Sequence, residues 1–179
     1  YARSYVEDEF KSIVAKTYLI YTEECKKANA MDFDDILFNM ARMLNEHSEL
    51  LHKYQHKWKY IMVDEYQDTN GAQYIITKKL AAVHENIVVV GDDAQSIYSF
   101  RGADIQNILN FQRDYPDLQL FKLEQNYRST STIVEAANAV IEHNEDRIPK
   151  KVFSAKDDGH KINLLRCANE QEEAAKIVD

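Results

Sequence analysis

Residues Tyr60 to Asn70 read YIMVDEYQDTN. A short apolar run, Tyr60–Val63, delivers Asp64 and Glu65 side by side, with Asp68 three positions later. A run of this length with apolar residues at every position suits a strand buried on both faces. Acids at a strand tip are ordinary strand terminators and helix caps, so the pair means little alone. Its neighbours give it weight. Further apolar runs follow at NIVVV (86–90), LQLFKL (118–123) and KINLL (161–165), and helical stretches are expected between them near 71–84, 103–114 and 131–144, the last opened by a Thr132/Glu135 capping box. Strand, helix, strand at this spacing is the grammar of a parallel α/β sheet. In such sheets ligands bind beyond the carboxyl ends of the strands, where Asp64, Glu65 and Asp92 are expected to emerge.

Upstream the pattern is helical. Val6, Phe10, Ile13, Val14, Tyr21 and Cys25 predict a long amphipathic helix over about 6–28. Asp32 is expected to cap a second helix with Ile36, Leu37, Met40 and Leu44 on one face and Asp34 and Asp35 in its first turn, and Ser48 a third, shorter one.

The chain has 179 residues, 45% of them hydrophobic, enough for a substantial core. Four Gly and two Pro leave no flexible linker in view. Cys25 and Cys167 lack CxxC spacing and the six histidines lack ligand spacing, which argues against a zinc site or disulfide scaffold and fits a reducing cytosol. The net charge of -8 would repel nucleic acid on average, so any such contact needs locally concentrated cations. No apolar stretch is long enough to span a bilayer. The opening YARSYVEDEF and the closing EEAAKIVD look helical and charged, as though cut from something longer.

An acid at a strand tip suits Mg²⁺, which takes one or two carboxylates plus phosphates and water, while an adjacent acid can deprotonate an attacking water. Side chains alternate along a strand, so both acids serve one pocket only where the strand turns into its loop. The second strand runs into GDDAQSIYSFRGA (91–103) and the third into LEQNYRST (123–130). YSFRG interleaves aromatic and basic groups, which suits single-stranded DNA.

With DFDDIL, VDEYQDTN, VVVGDDAQSIYSFRGADI and LEQNYRSTSTIVEAAN in this order, the chain resembles superfamily-one DNA helicases of the UvrD/Rep/PcrA group along its whole length, and the PcrA-like members most. The resemblance implies a RecA-like parallel sheet with flanking helices, preceded by an all-helical segment. It divides the chain into the end of an inserted helical subdomain (1–56), the C-terminal part of a first motor domain (57–121) and the beginning of a second (122–179). It assigns Asp64 to Mg²⁺, Glu65 to the hydrolytic water and Gln95 to sensing the terminal phosphate of ATP. Tyr98, Phe100 and Arg101 fall to single-stranded DNA, with Phe100 standing where many members have Trp. Tyr127 corresponds to the residue stacking on adenine and Arg128 to the one reaching the terminal phosphate from the second motor domain.

None of the four glycines, Gly71, Gly91, Gly102 and Gly159, begins a GxxxxGK[ST] phosphate cradle. The chain therefore reads as an internal part of a P-loop NTPase without its Walker A loop, inactive alone, whose missing N- and C-terminal parts are its first partners. The expected parent is a cytoplasmic, ATP-dependent 3'-to-5' helicase acting on single strands and duplex junctions, with no membrane partner. A helicase subunit of a helicase-nuclease, a non-catalytic DNA- or protein-binding module on a degenerate ATPase fold and, more distantly, a carboxylate-metal phosphohydrolase are the alternatives. Arg147, Lys150, Lys151 and Lys156 read as a solvated basic surface first and as a contact with the DNA backbone second.

Overall fold

The computed structural model describes residues 9–178, which form two compact units meeting between Ile108 and Leu109. The expected start of the first helix, including Val6, lies outside the described residues.

In the first unit, α1 (Glu9–Lys27) ends where Asn29 takes a left-handed conformation (φ 51°) and the Ala30 amide donates to Cys25 O, satisfying late carbonyls of the helix. Its apolar positions Phe10, Ile13 and Val14 stay exposed, so the expected stripe is not buried. The Tyr21 hydroxyl donates to Asp32 Oδ2 at 2.8 Å. Asp32 caps α2 (Phe33–Glu46) in a reciprocal box with Asp35, as its position predicts. The Asp35 amide, and then the Tyr21 hydroxyl, hold the Asp32 carboxyl below its ordinary range.

The third helix, α3 (Ser48–Lys57), departs from expectation at its start. Ser48 is its first helical residue, and the cap position belongs to His47, whose carbonyl accepts from Leu50 and Leu51 without any side-chain cap. The second through fourth helices, the last being α4 (Gly71–Ala81), pack on one another around Leu44 and Ala81. Gln55 donates from Nε2 to Lys79 O at 2.7 Å, satisfying a polar side chain inside that packing.

Two strands, β1 (Ile61–Val63) and β2 (Ile87–Val89), pair in parallel with Ile61 opposite Ile87 and Val63 opposite Val89. The apolar runs at 60–63 and 86–90 thus form strands where expected, and both point their carboxyl ends the same way. Burial on both faces does not follow. Met62 and Val88 are 77% and 53% exposed, while their neighbours on the opposite face are half-buried. The α4 helix packs against β1, and no comparable element among the described residues covers the other face.

After the second strand, α5 (Gln106–Leu109) and, in the second unit, α6 (Phe111–Asp114) replace the single helix expected over 103–114, the break falling at Asn110. The remaining strands, β3 (Gln125–Asn126) and β4 (Phe153–Ser154), also pair in parallel. The runs at 118–123 and 161–165 form no strand. Leu123 and Leu164 are 85% and 95% exposed there, and a strand needs a hydrogen-bonded neighbour that these segments do not have among the described residues.

The helix α7 (Ser131–Ile141) packs on β4, with Asn138 Nδ2 donating to Val152 O at 2.7 Å. Its cap is Thr130, so the expected Thr132/Glu135 box is not formed. Two features take its place: the Ser131 amide donates to Asp157 O, and Ser131 Oγ lies 2.8 Å from Asp158 Oδ1. The last helix, α8 (Glu170–Val178), lies in the chain-terminal stretch expected to be helical. Among the described residues no helix is long and apolar enough to cross a membrane.

Candidate functional site

The site grows from the end of the β1–β2 pair. The ladder continues past both strands: Val90 N donates to Val63 O at 2.9 Å and Tyr66 N to Val90 O at 3.0 Å. These bonds set the turn carrying Asp64 and Glu65 beside the turn that begins at Gly91. Glu65 occupies the left-handed region (φ 50°, ψ 43°), where a non-glycine residue costs on the order of 1 kcal/mol or more. That backbone twist answers the alternation problem, because it brings consecutive side chains to one place instead of opposite faces. Asp64 and Glu65 both line a cavity of about 380 Å³ with Val63, Asp68, Thr69 and Gln73. The Glu65 amide donates to Asp64 Oδ1 at 2.9 Å.

A tight 3-10 turn, Tyr66–Asp68, follows and buries Tyr66 and Gln67 almost completely. Thr69 closes it by donating from Oγ1 to Tyr66 O at 2.7 Å, and Asn107 Nδ2 donates in turn to Thr69 O. Asn70 then caps α4 in a box with Gln73. Each step from the strand tip to the helix is therefore fixed by a side-chain bond.

The neighbouring loop has its root at Asp92. Its carboxylate accepts from the Ala94 amide at 3.1 Å and from Gln95 Nε2 at 2.8 Å, which holds the Gln95 side chain over the loop. Asp64 and Glu65 follow β1 and Asp92 follows β2, so the three acids leave the same end of the strand pair, with Gln95 bonded to Asp92.

Further along, Ser99–Arg101 form another 3-10 turn, closed by Gly102 at φ 85°, a conformation that favours glycine. Phe100 is 76% exposed, so it is not part of this unit's core. Tyr98 and Phe100 sit 6.0 Å apart, and the Arg101 guanidinium carbon lies 5.3 Å and 5.4 Å from their ring centres. The cation lies beside both rings, and aromatic and basic groups side by side are chemically suited to stacked bases and phosphates.

Tyr127 and Arg128 belong to the other unit. Asn126 Oδ1 accepts from the amides of Arg128 and Ser129 at 2.9 and 2.8 Å, so an Asx turn shapes NYRS. Tyr127 is 76% exposed and donates its hydroxyl to Gln125 Oε1 at 2.9 Å. Lys156 Nζ donates to Arg128 O at 2.9 Å, a structural contact that neither sequence reading of this lysine included.

Sequence reasoning passes over Gln67 and Gly91. Gln67 is 1% exposed, donates from Nε2 to Glu65 Oε2 at 2.8 Å and accepts at Oε1 from Asp92 N at 3.0 Å. A Cβ on Gly91 would lie 2.6 Å from that same Oε1, so the amide fits only beside a glycine. A buried amide in a 3-10 turn has no periodic signature, and only its position inside the acidic motif could have flagged it.

For a hard cation the donor chemistry fits. Asp64 and Asp68 face one cavity, and Asp68 Oδ1 is buried without a hydrogen-bond partner among the described residues. No group of three or more His, Cys, Asp or Glu residues among the described ones is arranged to hold a metal.

Comparison with known proteins identifies the family. The UvrD/REP helicase N-terminal domain family matches residues 2–116 and the UvrD-like helicase C-terminal domain family residues 121–179. The chain is 45% identical over 177 residues to ATP-dependent DNA helicase PcrA of Staphylococcus aureus (strain Mu50 / ATCC 700699) and 45% over 178 residues to that of Leuconostoc citreum. Each match covers 99% of this chain and 24% of the relative, so the chain spans about a quarter of their length. On these matches, the chain belongs to the UvrD/REP helicase family.

Proposed function

We propose that the full-length protein is an ATP-dependent 3'-to-5' DNA helicase and that these residues supply part of its motor. The observation that carries this reading is the pair Asp64 and Glu65 at the carboxyl end of a parallel strand pair, tied through Gln67 to Asp92, at the root of the loop that carries Gln95 and the Tyr98–Phe100–Arg101 cluster. Chemistry on a phosphate chain and contact with a single strand are thereby linked through a few residues of backbone.

In this reading 57–121 belongs to one RecA-like motor domain, 122–179 to a second and 1–56 to a helical insertion. Asp64 holds Mg²⁺, which when bound offsets charge on the phosphates of ATP. Glu65 orients the attacking water and accepts its proton. The Gln95 amide, able to donate and accept, reports on the terminal phosphate. Tyr127 stacks on the adenine and Arg128 presents its fork to the transferring phosphoryl group. A soluble, cytoplasmic setting completes the proposal.

The test is strand displacement by the full-length protein with ATP and Mg²⁺ on duplexes bearing a single-stranded tail. Displacement with a 3' tail, and little with a 5' tail, is expected. Displacement that needs a 5' tail, or none with either, would overturn the reading.

Phe100→Ala in the full-length protein should weaken single-strand binding by about 1 to 3 kcal/mol, the scale of one stacked base. Fluorescence anisotropy with a labelled oligonucleotide measures it, and unchanged affinity would remove Phe100 from the DNA surface.

A further inference from the structure

Gln67 is a buried polar side chain whose Nε2 donates to Glu65 Oε2 and, at 3.5 Å, to Asp68 Oδ2, while its Oε1 accepts from Asp92 N, so its two ends meet two different segments. A backbone N–H can only donate and an ionised carboxylate can only accept, so the bonds to Asp92 N and Glu65 Oε2 admit one orientation of the amide. Neither Glu nor Met could make both bonds. Its main-chain carbonyl accepts from Ser96 Oγ at 3.2 Å, a third tie to the same loop. Asp92, the residue gripped by the amide, is also the root that organises Ala94 and Gln95. Any shift of the loop at Phe100 or Arg101 that reaches Asp92 must therefore move the Gln67 amide or break its bond.

We propose that Gln67 is the positioning residue through which single-stranded DNA on the Tyr98–Arg101 loop sets the orientation of the Glu65 carboxylate. The proposal rests on the helicase reading above. With the loop seated on DNA, the amide holds Glu65 aimed at the water site; a shift of the loop acts on Glu65 through the Asp92–Gln67–Glu65 chain of bonds. Gln67 touches neither ATP nor water in this scheme. Its role is to make hydrolysis respond to DNA.

The experiment measures ATP hydrolysis by the full-length protein with and without oligothymidine, alongside the Kd for that oligonucleotide and thermal unfolding. Gln67→Met, close in volume but without either bond, should lower the ratio of DNA-stimulated to DNA-free kcat by about 10- to 100-fold, the usual range for a residue that orients a functional ligand. The KM for ATP and the oligonucleotide Kd should stay within about 3-fold, because Asp64 and Phe100 are untouched. Ser96→Ala leaves the Gln67 side chain in place and removes only the third tie, and should lower the same ratio by about 3- to 10-fold. Equal loss with and without DNA in Gln67→Met, or full stimulation retained, would overturn the proposal. If Gln67→Met does not fold, Ser96→Ala decides, and an unchanged ratio there overturns it. A wild-type protein whose hydrolysis ignores DNA overturns the helicase reading and this proposal together, whereas normal stimulation with an indifferent Gln67 removes only the proposal.

Discussion

Arg128→Ala in the full-length protein is expected to cut kcat for ATP hydrolysis by about 10³-fold or more, the low end for arginine fingers, with a much smaller change in ATP affinity. The residue is held at its backbone. Its amide donates to Asn126 Oδ1 and its carbonyl accepts from Lys156, while its guanidinium makes no hydrogen bond or ion pair with the described residues. A cation needed only as charge builds on the transferring phosphoryl group acts on the transition state and leaves the ground state largely alone. Arg128→Lys should rescue poorly, since an ammonium keeps the charge and loses the planar fork. Steady-state hydrolysis and equilibrium nucleotide binding check this. Hydrolysis at the wild-type rate in the alanine variant would make Arg128 a structural residue.

Glu65→Gln should lower kcat by about 10²- to 10⁴-fold, the contribution expected of a positioned base. The exchange is nearly isosteric, and the glutamine carbonyl can still accept from Gln67 Nε2 as Glu65 Oε2 does now. It also keeps a side chain of the same shape at the left-handed position, so folding is disturbed little. Nucleotide binding should survive, because Asp64 and Tyr127 are unchanged. A variant that keeps half the wild-type rate would place the base elsewhere.

Legibility in the sequence followed the strength of local signals. The apolar runs at 60–63 and 86–90 announced parallel strands, and acids follow both of them. Asp32 carries its own cap signal, a carboxylate three residues before Asp35, and the structure forms that box. Runs at 118–123 and 161–165 carry the same apolar signal, yet remain unpaired because strand formation depends on a neighbour that a local window does not reveal. The cap before Ser131 was displaced by two residues because Asp157 and Asp158, more than twenty positions away, supply the bonds. Gln67 and Gly91 were invisible for the same reason: their meaning lies in a 2.6 Å approach between segments 24 residues apart in the chain.

The most direct test of the central claim is the rate of ATP hydrolysis by the full-length wild-type protein, measured with Mg²⁺ in the presence and absence of single-stranded DNA. If the acidic strand ends and the aromatic-basic loop are two ends of one motor element, DNA should raise the rate severalfold or more. A rate indifferent to DNA, in a protein that binds the same strand, would contradict the account.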